Sequence, residues 1–338
     1  MTPRTQPHSP RLWWPVVGLL IVAVAIAAWR RGGLLDLPSV PAGLTLEASG
    51  LANLEQMKQL NASVWAETPP APTEAAAQVR QGITACRHGD ITNGLERMQA
   101  GLRLAPNDLV LANAYRMVVF GLRRDFLAAA RRNGLVAPKF PPALDRQPLA
   151  LFEELDRRRP TREIRLDLAL SWVDEMLLFP ALEIKAPASV QAVDFLTGVI
   201  EHGNPGYVPA LFARGLNHLH RPARLVWPES NRTPPDAAVQ DIGRCVAIGR
   251  RFGVGTPRLQ ATLALTLGDA YVKTGRLSVA RSWWQIAQNL CHDEDLQSAI
   301  RRRYSWPNET ALDQLEAELD RARSALDRPM TDLALMWN

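Results

Sequence analysis

Cysteine is scarce in this chain, and the short motifs that mark common catalytic and metal sites are missing. Only three cysteines occur among 338 residues, too few for the disulfide framework of a small secreted domain. The sequence contains no Gly-x-Ser-x-Gly, no phosphate-binding loop ending in Gly-Lys and no Cys-x-x-Cys pair. These absences exclude the hydrolases, nucleotide-binding proteins and metal or covalent-haem proteins that depend on those motifs.

Strand-like alternation of apolar and polar residues is also rare. The chain is 47% hydrophobic, enough to bury a core in one or two domains, and its 26 prolines fall mostly between or at the starts of helical stretches. This pattern predicts an all-α protein of many short helices. Cys86, Cys245 and Cys291 are predicted to be small buried helical residues, with a Cys245–Cys291 bridge as the alternative in an oxidising compartment.

The charged residues are scattered along the chain. The formal net charge is +5 and the pI is near 9.4, but basic residues occur as separate groups such as Arg123-Arg124 and Arg301 to Arg303. A nucleic-acid groove would gather them with aromatic residues on one surface, so we expect solvated helix faces and no nucleic-acid partner. The acidic pairs Glu153-Glu154 and Asp174-Glu175 are likewise predicted to be exposed.

One apolar run lies near the start of the chain. Residues 12–29 are eighteen consecutive uncharged residues flanked by arginines, about the length that spans the hydrocarbon core of a bilayer. Trp13 and Trp29 lie where interfacial aromatic rings prefer to be. We predict a single-pass anchor in a bacterial inner membrane with most of the chain in the periplasm; a signal peptide cleaved near Ala25 is the alternative.

Prolines and helical periodicity divide the rest of the chain. The predicted regions are an anchor at 1–35, a linker with a short helix at 36–72, N-terminal helices at 73–145 and C-terminal helices at 146–338. The last region contains an insertion at 220–235, whose Trp227 is a candidate loop contact, and a capping helix at 309–327. We expect the tail from residue 330 to fold back on the domain; a free tail that binds a partner is the alternative.

Residues 261–291 carry the pattern that specifies an architecture. Apolar residues recur at steps of three and four on both sides of Gly275, which predicts two amphipathic helices packed against each other. Small Gly268 and Ala280 would let the two backbones approach, while Tyr271 and Trp284 fill the space beside them.

Seven positions of this hairpin resemble the tetratricopeptide repeat (TPR), a helix-turn-helix unit of ~34 residues that stacks into a superhelix. They are Leu267, Gly268, Tyr271, Gly275, Ala280, Trp284 and Ala287. A weaker unit places Gly82 and Gly89 in the same frame, and a third, at 206–251, places Gly215 there. The resemblance implies a TPR-like solenoid of antiparallel helix pairs.

The resemblance also implies a concave protein-binding groove lined by the first helix of each unit. Carried over residue by residue, the groove positions are Val79, Ile83, Arg87, Phe212, Leu216, His220, Leu265, Asp269 and Lys273. Two of the three units depart from the family pattern, so the alternative that the chain itself fills the groove stays open.

No arrangement of titratable residues points to catalysis. His218 and His220 are two residues apart, on different sides of a helix, and the run from Cys291 to Glu294 is better explained as a helix end. We therefore expect a non-enzymatic protein–protein interaction module without cofactor or metal; an enzyme with an unrecognised site is the less favoured alternative.

The expected partner is a subunit of a bacterial membrane complex, for instance a respiratory or photosynthetic electron-transfer assembly, in which this chain is an accessory or scaffold subunit. The alternative is an assembly factor similar to the membrane-bound repeat proteins that hold apocytochromes during maturation.

Overall fold

The computed structural model describes most of the chain beyond the predicted anchor. The described residues are 37–66, 71–135, 139–178, 182–222, 234–325 and 331–338. The anchor at 12–29 and Trp227 lie outside them. Residues 38–338 form one compact unit. Of the helices in the described ranges, none has both the length and the apolar character needed to cross a membrane.

Helices dominate the described residues, which contain no β-strand, and the all-α prediction is confirmed for them. The helices are α1 Leu46–Ser49, α2 Leu54–Trp65, α3 Glu74–Arg87, α4 Ile91–Leu104, α5 Leu109–Arg132, α6 Leu149–Arg158, α7 Arg162–Leu178, α8 Leu182–Gly198, α9 Val208–His220, α10 Pro234–Phe252, α11 Pro257–Lys273, α12 Leu277–Leu290, α13 Glu294–Tyr304 and α14 Ala311–Ala325. Successive helices pack as antiparallel hairpins, namely α3 with α4, α7 with α8, α9 with α10 and α11 with α12.

The predicted close approach within the α11–α12 hairpin is confirmed. A Cβ atom built on Gly268 would lie 2.5 Å from the Trp284 ring and 3.0 Å from the carbonyl oxygen of Ala280. No side chain fits at those distances, so only glycine lets the helices cross this closely. Trp284 itself is fully buried, which fixes the two helices around its ring.

Two other hairpins have the same kind of crossing. A Cβ atom on Gly215 of α9 would lie 2.7 Å from Ile242 of α10, and one on Gly82 of α3 would overlap the backbone of Gly94 in α4. The glycines that align with Gly268 in sequence therefore occupy equivalent positions in space.

The sequence pattern predicts that Thr73 caps the start of α3 and that Gly89 ends it, and the structure confirms both. The Thr73 hydroxyl accepts the Ala76 N–H at 3.1 Å, which satisfies one of the free donors of the first turn. Gly89 follows the helix with φ +87°, a conformation that favours glycine and ends the helix. Gly275 has φ +76° between α11 and α12 and does the same there.

Two elements differ from the sequence-based prediction. The sequence pattern predicts a pair of helices at roughly 108–121 and 123–133, but the structure has one continuous helix there, α5. Gly121 lies within it and costs only about 1 kcal/mol relative to alanine, which is too little to end a helix held by a buried face. The second difference is α13, which the sequence pattern did not predict; Asp293 caps it by accepting the Leu296 N–H at 3.1 Å.

One core cluster joins both sides of the proline-rich segment at 134–146. It includes Val64 of α2, Met98 of α4 and Tyr115 of α5, together with Phe152 of α6 beyond the prolines. The short helix of the predicted linker is α2. Because its Val64 belongs to this core cluster, α2 packs on its own domain.

Candidate interaction surface

The C-terminal segment, residues 331–338, lies against helices from widely separated parts of the chain. Its short 3₁₀ turn, Leu333–Met336, contacts α2, α5 and α11. The tail therefore folds back as predicted and occupies an interior position. Its buried side chains are Thr331, Leu333, Met336 and Trp337.

Two side chains of α5 hold the backbone of the C-terminal segment. The Arg116 guanidinium donates two hydrogen bonds to the carbonyl oxygen of Thr331, each at 3.1 Å. Asn113 Oδ1 accepts the backbone N–H of Leu333 at 2.9 Å, and Asn113 Nδ2 donates to the Asp332 carboxylate at 2.8 Å. Hydrogen bonds to the main chain hold a segment whatever its side chains are, while side-chain pockets provide selectivity.

Two carboxylates of α7 surround the same guanidinium. Asp167 Oδ1 accepts from Arg116 Nε at 3.0 Å, and Asp174 Oδ2 lies 3.6 Å from Arg116 Nη1. The Thr331 hydroxyl donates to Asp174. These side chains are buried, so each charge depends on the others to offset its desolvation. We call Asn113, Arg116, Asp167, Asp174 and Thr331 the tail network.

The tail network has one cation for two carboxyl groups. Burial raises the pKa of Asp167 to about 7 and that of Asp174 to about 6, against the opposing effect of Arg116 on both. If all three groups were ionised, a net negative charge would remain in the interior. The network therefore retains a proton on its carboxylates up to near-neutral pH.

A second buried arginine joins two carboxylates where α11, α13 and α14 meet. Arg303 donates to both oxygens of Asp269 at 2.7 Å and to Glu318 at 3.1 Å. The Trp284 indole N–H donates to Asp269 at 3.1 Å. We call Asp269, Trp284, Arg303 and Glu318 the hairpin network. All of its members lie on α11–α14, so the C-terminal segment contributes nothing to it.

Most of the groove residues predicted from sequence lie inside the helical array. Arg87 is exposed and Leu216 is half-buried. The other seven are buried: Val79, Ile83, Phe212, His220, Leu265, Asp269 and Lys273. These seven side chains therefore do not line an open groove in this conformation.

Later helices cover two of these positions. Asp269 is bonded to Arg303 of α13, and Lys273 Nζ lies 2.9 Å from Glu316 of α14 and donates to the Arg221 carbonyl oxygen at 2.7 Å. The chain itself fills this surface, which is the alternative that the divergent repeats left open. Contact of the nine residues with a partner stays a prediction.

The expected exposure of the pair Asp174-Glu175 is wrong, as is that of Arg123 and Arg303. Glu175 pairs with Arg123 of α5, and all of these side chains are buried. Each charge is stable in the interior because an opposite charge on a neighbouring helix faces it. Sequence reasoning that treated each helix alone could not show these partners.

The described histidines and cysteines show neither a disulfide bridge nor a grouped set of metal-ligating side chains. Burial, with Arg221 and Arg214 nearby, lowers the pKa of His218 to about 3, so its imidazole is neutral. All three cysteines are free, and the Cys245–Cys291 bridge is not formed. No group of three metal-ligating side chains capable of holding an ion occurs within the described ranges.

No model of a known protein family and no curated protein matches the chain. Among solved structures, a similar one is that of TTC0263, a thermophilic TPR protein of Thermus thermophilus. The match has a TM-score of 0.42 and 19% sequence identity, and covers 68% of this chain and 97% of that chain. A likeness of this size assigns neither a family nor a partner to the chain.

Proposed function

We propose that the chain is a non-enzymatic protein-interaction module held at a bacterial inner membrane by a transmembrane helix at residues 12–29. In this proposal it is an accessory or scaffold subunit of a membrane complex, with a respiratory or photosynthetic electron-transfer assembly as the expected class. The bulk of the chain lies in the periplasm, because Arg4, Arg11 and the charged amino terminus together slightly outweigh Arg30 and Arg31 and favour an inside amino terminus.

The observation that carries the proposal is the bound C-terminal segment. The array holds residues 331–338 in its interior through side chains that bond to the segment's main chain: Arg116 donates to the Thr331 carbonyl oxygen, and Asn113 accepts the Leu333 N–H. An array of helices that binds the main chain of one short segment in this way has the means to bind another. Asp167, Asp174 and Asp269 pair with arginines and are closed off from solvent, so no substrate reaches these carboxyl groups in this conformation.

The outer surface of the described chain offers little apolar area to a partner. Its large exposed hydrophobic residues are Leu104 and Leu135, at 57% and 55% exposure. A stable protein interface normally buries an apolar centre. We therefore expect the partner to use the interior site or polar contacts.

The test is purification of the full chain from native membranes in mild detergent. A partner that is a membrane protein, present in equal amounts and retained through a high-salt wash, is expected for an accessory subunit. An exchangeable client in smaller amounts would favour the assembly factor that holds apocytochromes. A chain that purifies alone would count against both.

A matched variant separates the anchor from the interaction. Deletion of residues 1–35 should yield a folded helical protein that no longer sediments with membranes, because the described helices carry polar outer faces. If the shortened chain still partitions fully into membranes, residues 12–29 are not the anchor.

A further inference from the structure

The C-terminal segment is held as a bound peptide is held. It has one four-residue 3₁₀ turn of its own, and side chains of other helices fix its main chain at both ends. Arg116 and Asn113 bind the first end, and the Thr256 hydroxyl donates to the carbonyl oxygen of Asn338 at 3.2 Å at the other. These bonds act alongside bonds within the segment, in which the Ala334 carbonyl oxygen accepts from the Trp337 and Asn338 N–H groups.

The fit of the segment is incomplete at its largest side chain. Trp337 is only 1% exposed, and its indole N–H finds no hydrogen-bond partner within the described structure. A buried donor without an acceptor weakens binding, because its bonds to water are lost and not replaced. A phenylalanine at the same position would fill most of the space without this loss. The chain's own tail is thus a suboptimal occupant of the site.

We propose that this interior surface is an exchangeable peptide site, and that the partner enters it with a short segment similar in chemistry to residues 331–337. The segment carries a hydroxyl residue and then a carboxylate, followed by apolar side chains at the third, sixth and seventh positions, the last aromatic. This proposal rests on the proposed function, since it names the surface that the partner of the module contacts.

Each feature of the segment has a partner in the site. The hydroxyl donates to Asp174, the carboxylate accepts from Asn113, and the carbonyl oxygen between them accepts from Arg116. The apolar positions correspond to the buried Leu333, Met336 and Trp337. The chain's own tail occupies the site until a better-fitting segment replaces it.

The experiment uses a full-length chain whose own tail is weakened by Leu333→Ser and Trp337→Ser. The probe is an acetylated, fluorescent synthetic peptide of residues 331–338, followed by anisotropy. Saturable binding to the variant is expected, at least tenfold tighter than to the unaltered chain, whose tail competes. A peptide with the same two serines should not bind. A peptide with Trp337→Phe should bind several-fold tighter than the natural sequence.

Three results would overturn the proposal. One is a variant that melts cooperatively and does not bind the natural peptide. Another is equal binding of the serine peptide. The third is loss of cooperative melting both in the variant and in a chain lacking residues 326–338, because the segment would then be an integral part of the core.

The peptide assay and the purification can fail separately. A membrane partner that copurifies while the peptide does not bind would leave the proposed function intact and place the interface elsewhere. Peptide binding by a chain that purifies alone would leave the site intact and refute its assignment to a membrane complex.

Discussion

The tail network and the hairpin network each place one buried arginine between two carboxylates, but they differ in what completes them. In the hairpin network Arg303 donates two hydrogen bonds of 2.7 Å to Asp269. Its second carboxylate, Glu318, has a lowered pKa, because the charges of Arg303 and Arg302 outweigh its partial burial. Burial raises the pKa of Asp269, so the hairpin network has one raised and one lowered value. In the tail network burial raises the pKa of both carboxyl groups.

In our proposal, this difference separates a network that serves folding from one that serves binding. The hairpin network is complete within four consecutive helices, α11–α14. In the tail network, the carbonyl oxygen that accepts from Arg116 belongs to Thr331, which lies more than 200 residues from Arg116 along the chain. The proposal requires that interactions from this remote segment, four residues of which form a 3₁₀ turn, be exchanged without unfolding the helices that provide the site.

The largest expected effect comes from removing each arginine. Arg116→Met and Arg303→Met should each lower the free energy of unfolding by about 3–5 kcal/mol at pH 8, since an uncompensated carboxylate stays buried. Arg116→Met should cost more, because it deprives two buried carboxylates and the Thr331 carbonyl of their partner. Chemical denaturation measures both values.

Hydrogen exchange then tests whether the two networks are separate. In Arg116→Met the Leu333 amide should lose protection well before the helices do, because the segment is released locally. In Arg303→Met the Leu333 amide should keep its protection. Equal loss in both variants would show that the networks act as one.

Trp284 gives the next effect and belongs to the hairpin network alone. Trp284→Ala should cost about 3–5 kcal/mol because it leaves a large cavity, with no local release of the C-terminal segment.

Gly268→Ala should also destabilise the chain, since its Cβ would meet the Trp284 ring. When Gly268→Ala is added to Trp284→Ala, it should cost much less than Gly268→Ala costs in the unaltered chain, because the indole ring is absent. Strict additivity of the two variants would contradict the crossing.

The hairpin network shows where sequence reasoning succeeds. The glycine at the crossing and the tryptophan beside it are neighbours in a local pattern, and residue size alone predicted Gly268 against Trp284. The family resemblance places Asp269 in the groove, so the sequence does not predict the hydrogen bond that Asp269 accepts from the Trp284 indole. Its true partner, Arg303, lies on a helix that the pattern did not reveal.

The tail network shows where sequence reasoning fails, although a signal was present. Arg116 and Arg123 are seven residues apart on α5, and their partners Asp167 and Glu175 are eight apart on α7. Residues seven or eight apart share a helix face, and the two acidic residues lie within a largely apolar run. Matched spacings of opposite charge could have suggested that α5 and α7 pack side by side. The contribution of Thr331 depends on tertiary folding that no local pattern contains.

The proton held by the tail network predicts a pH dependence of intermediate size. Because the pKa of Asp167 rises from 3.8 to about 7 on folding, the folded chain binds more protons than the unfolded chain between these values. The free energy of unfolding should therefore fall as the pH rises through this window. Asp167→Asn removes this contribution while keeping an oxygen that accepts from Arg116.

The difference in stability between Asp167→Asn and the unaltered chain isolates this effect. From pH 4 to pH 7 the variant should become more stable relative to the unaltered chain. Above pH 7 the difference in stability should stay constant. His218 acts in the opposite direction, since its lowered pKa makes stability fall as the pH drops below about 6.5, but this contribution cancels in the difference. A difference that does not vary with pH would show that Asp167 is ionised throughout.

The smallest expected effect isolates the contribution of the segment to the tail network. Thr331→Val replaces the hydroxyl that donates to Asp174 with a methyl group of similar size, so packing is kept and one hydrogen bond is lost. The cost should be about 1 kcal/mol, seen as faster exchange of the Leu333 amide with little change in the melting of the helices. Thr331→Ser is the matched control, because it keeps the hydroxyl and should keep the protection. If valine and serine behave alike, the hydroxyl does not hold the segment, and its binding depends on Arg116, Asn113 and the apolar side chains alone.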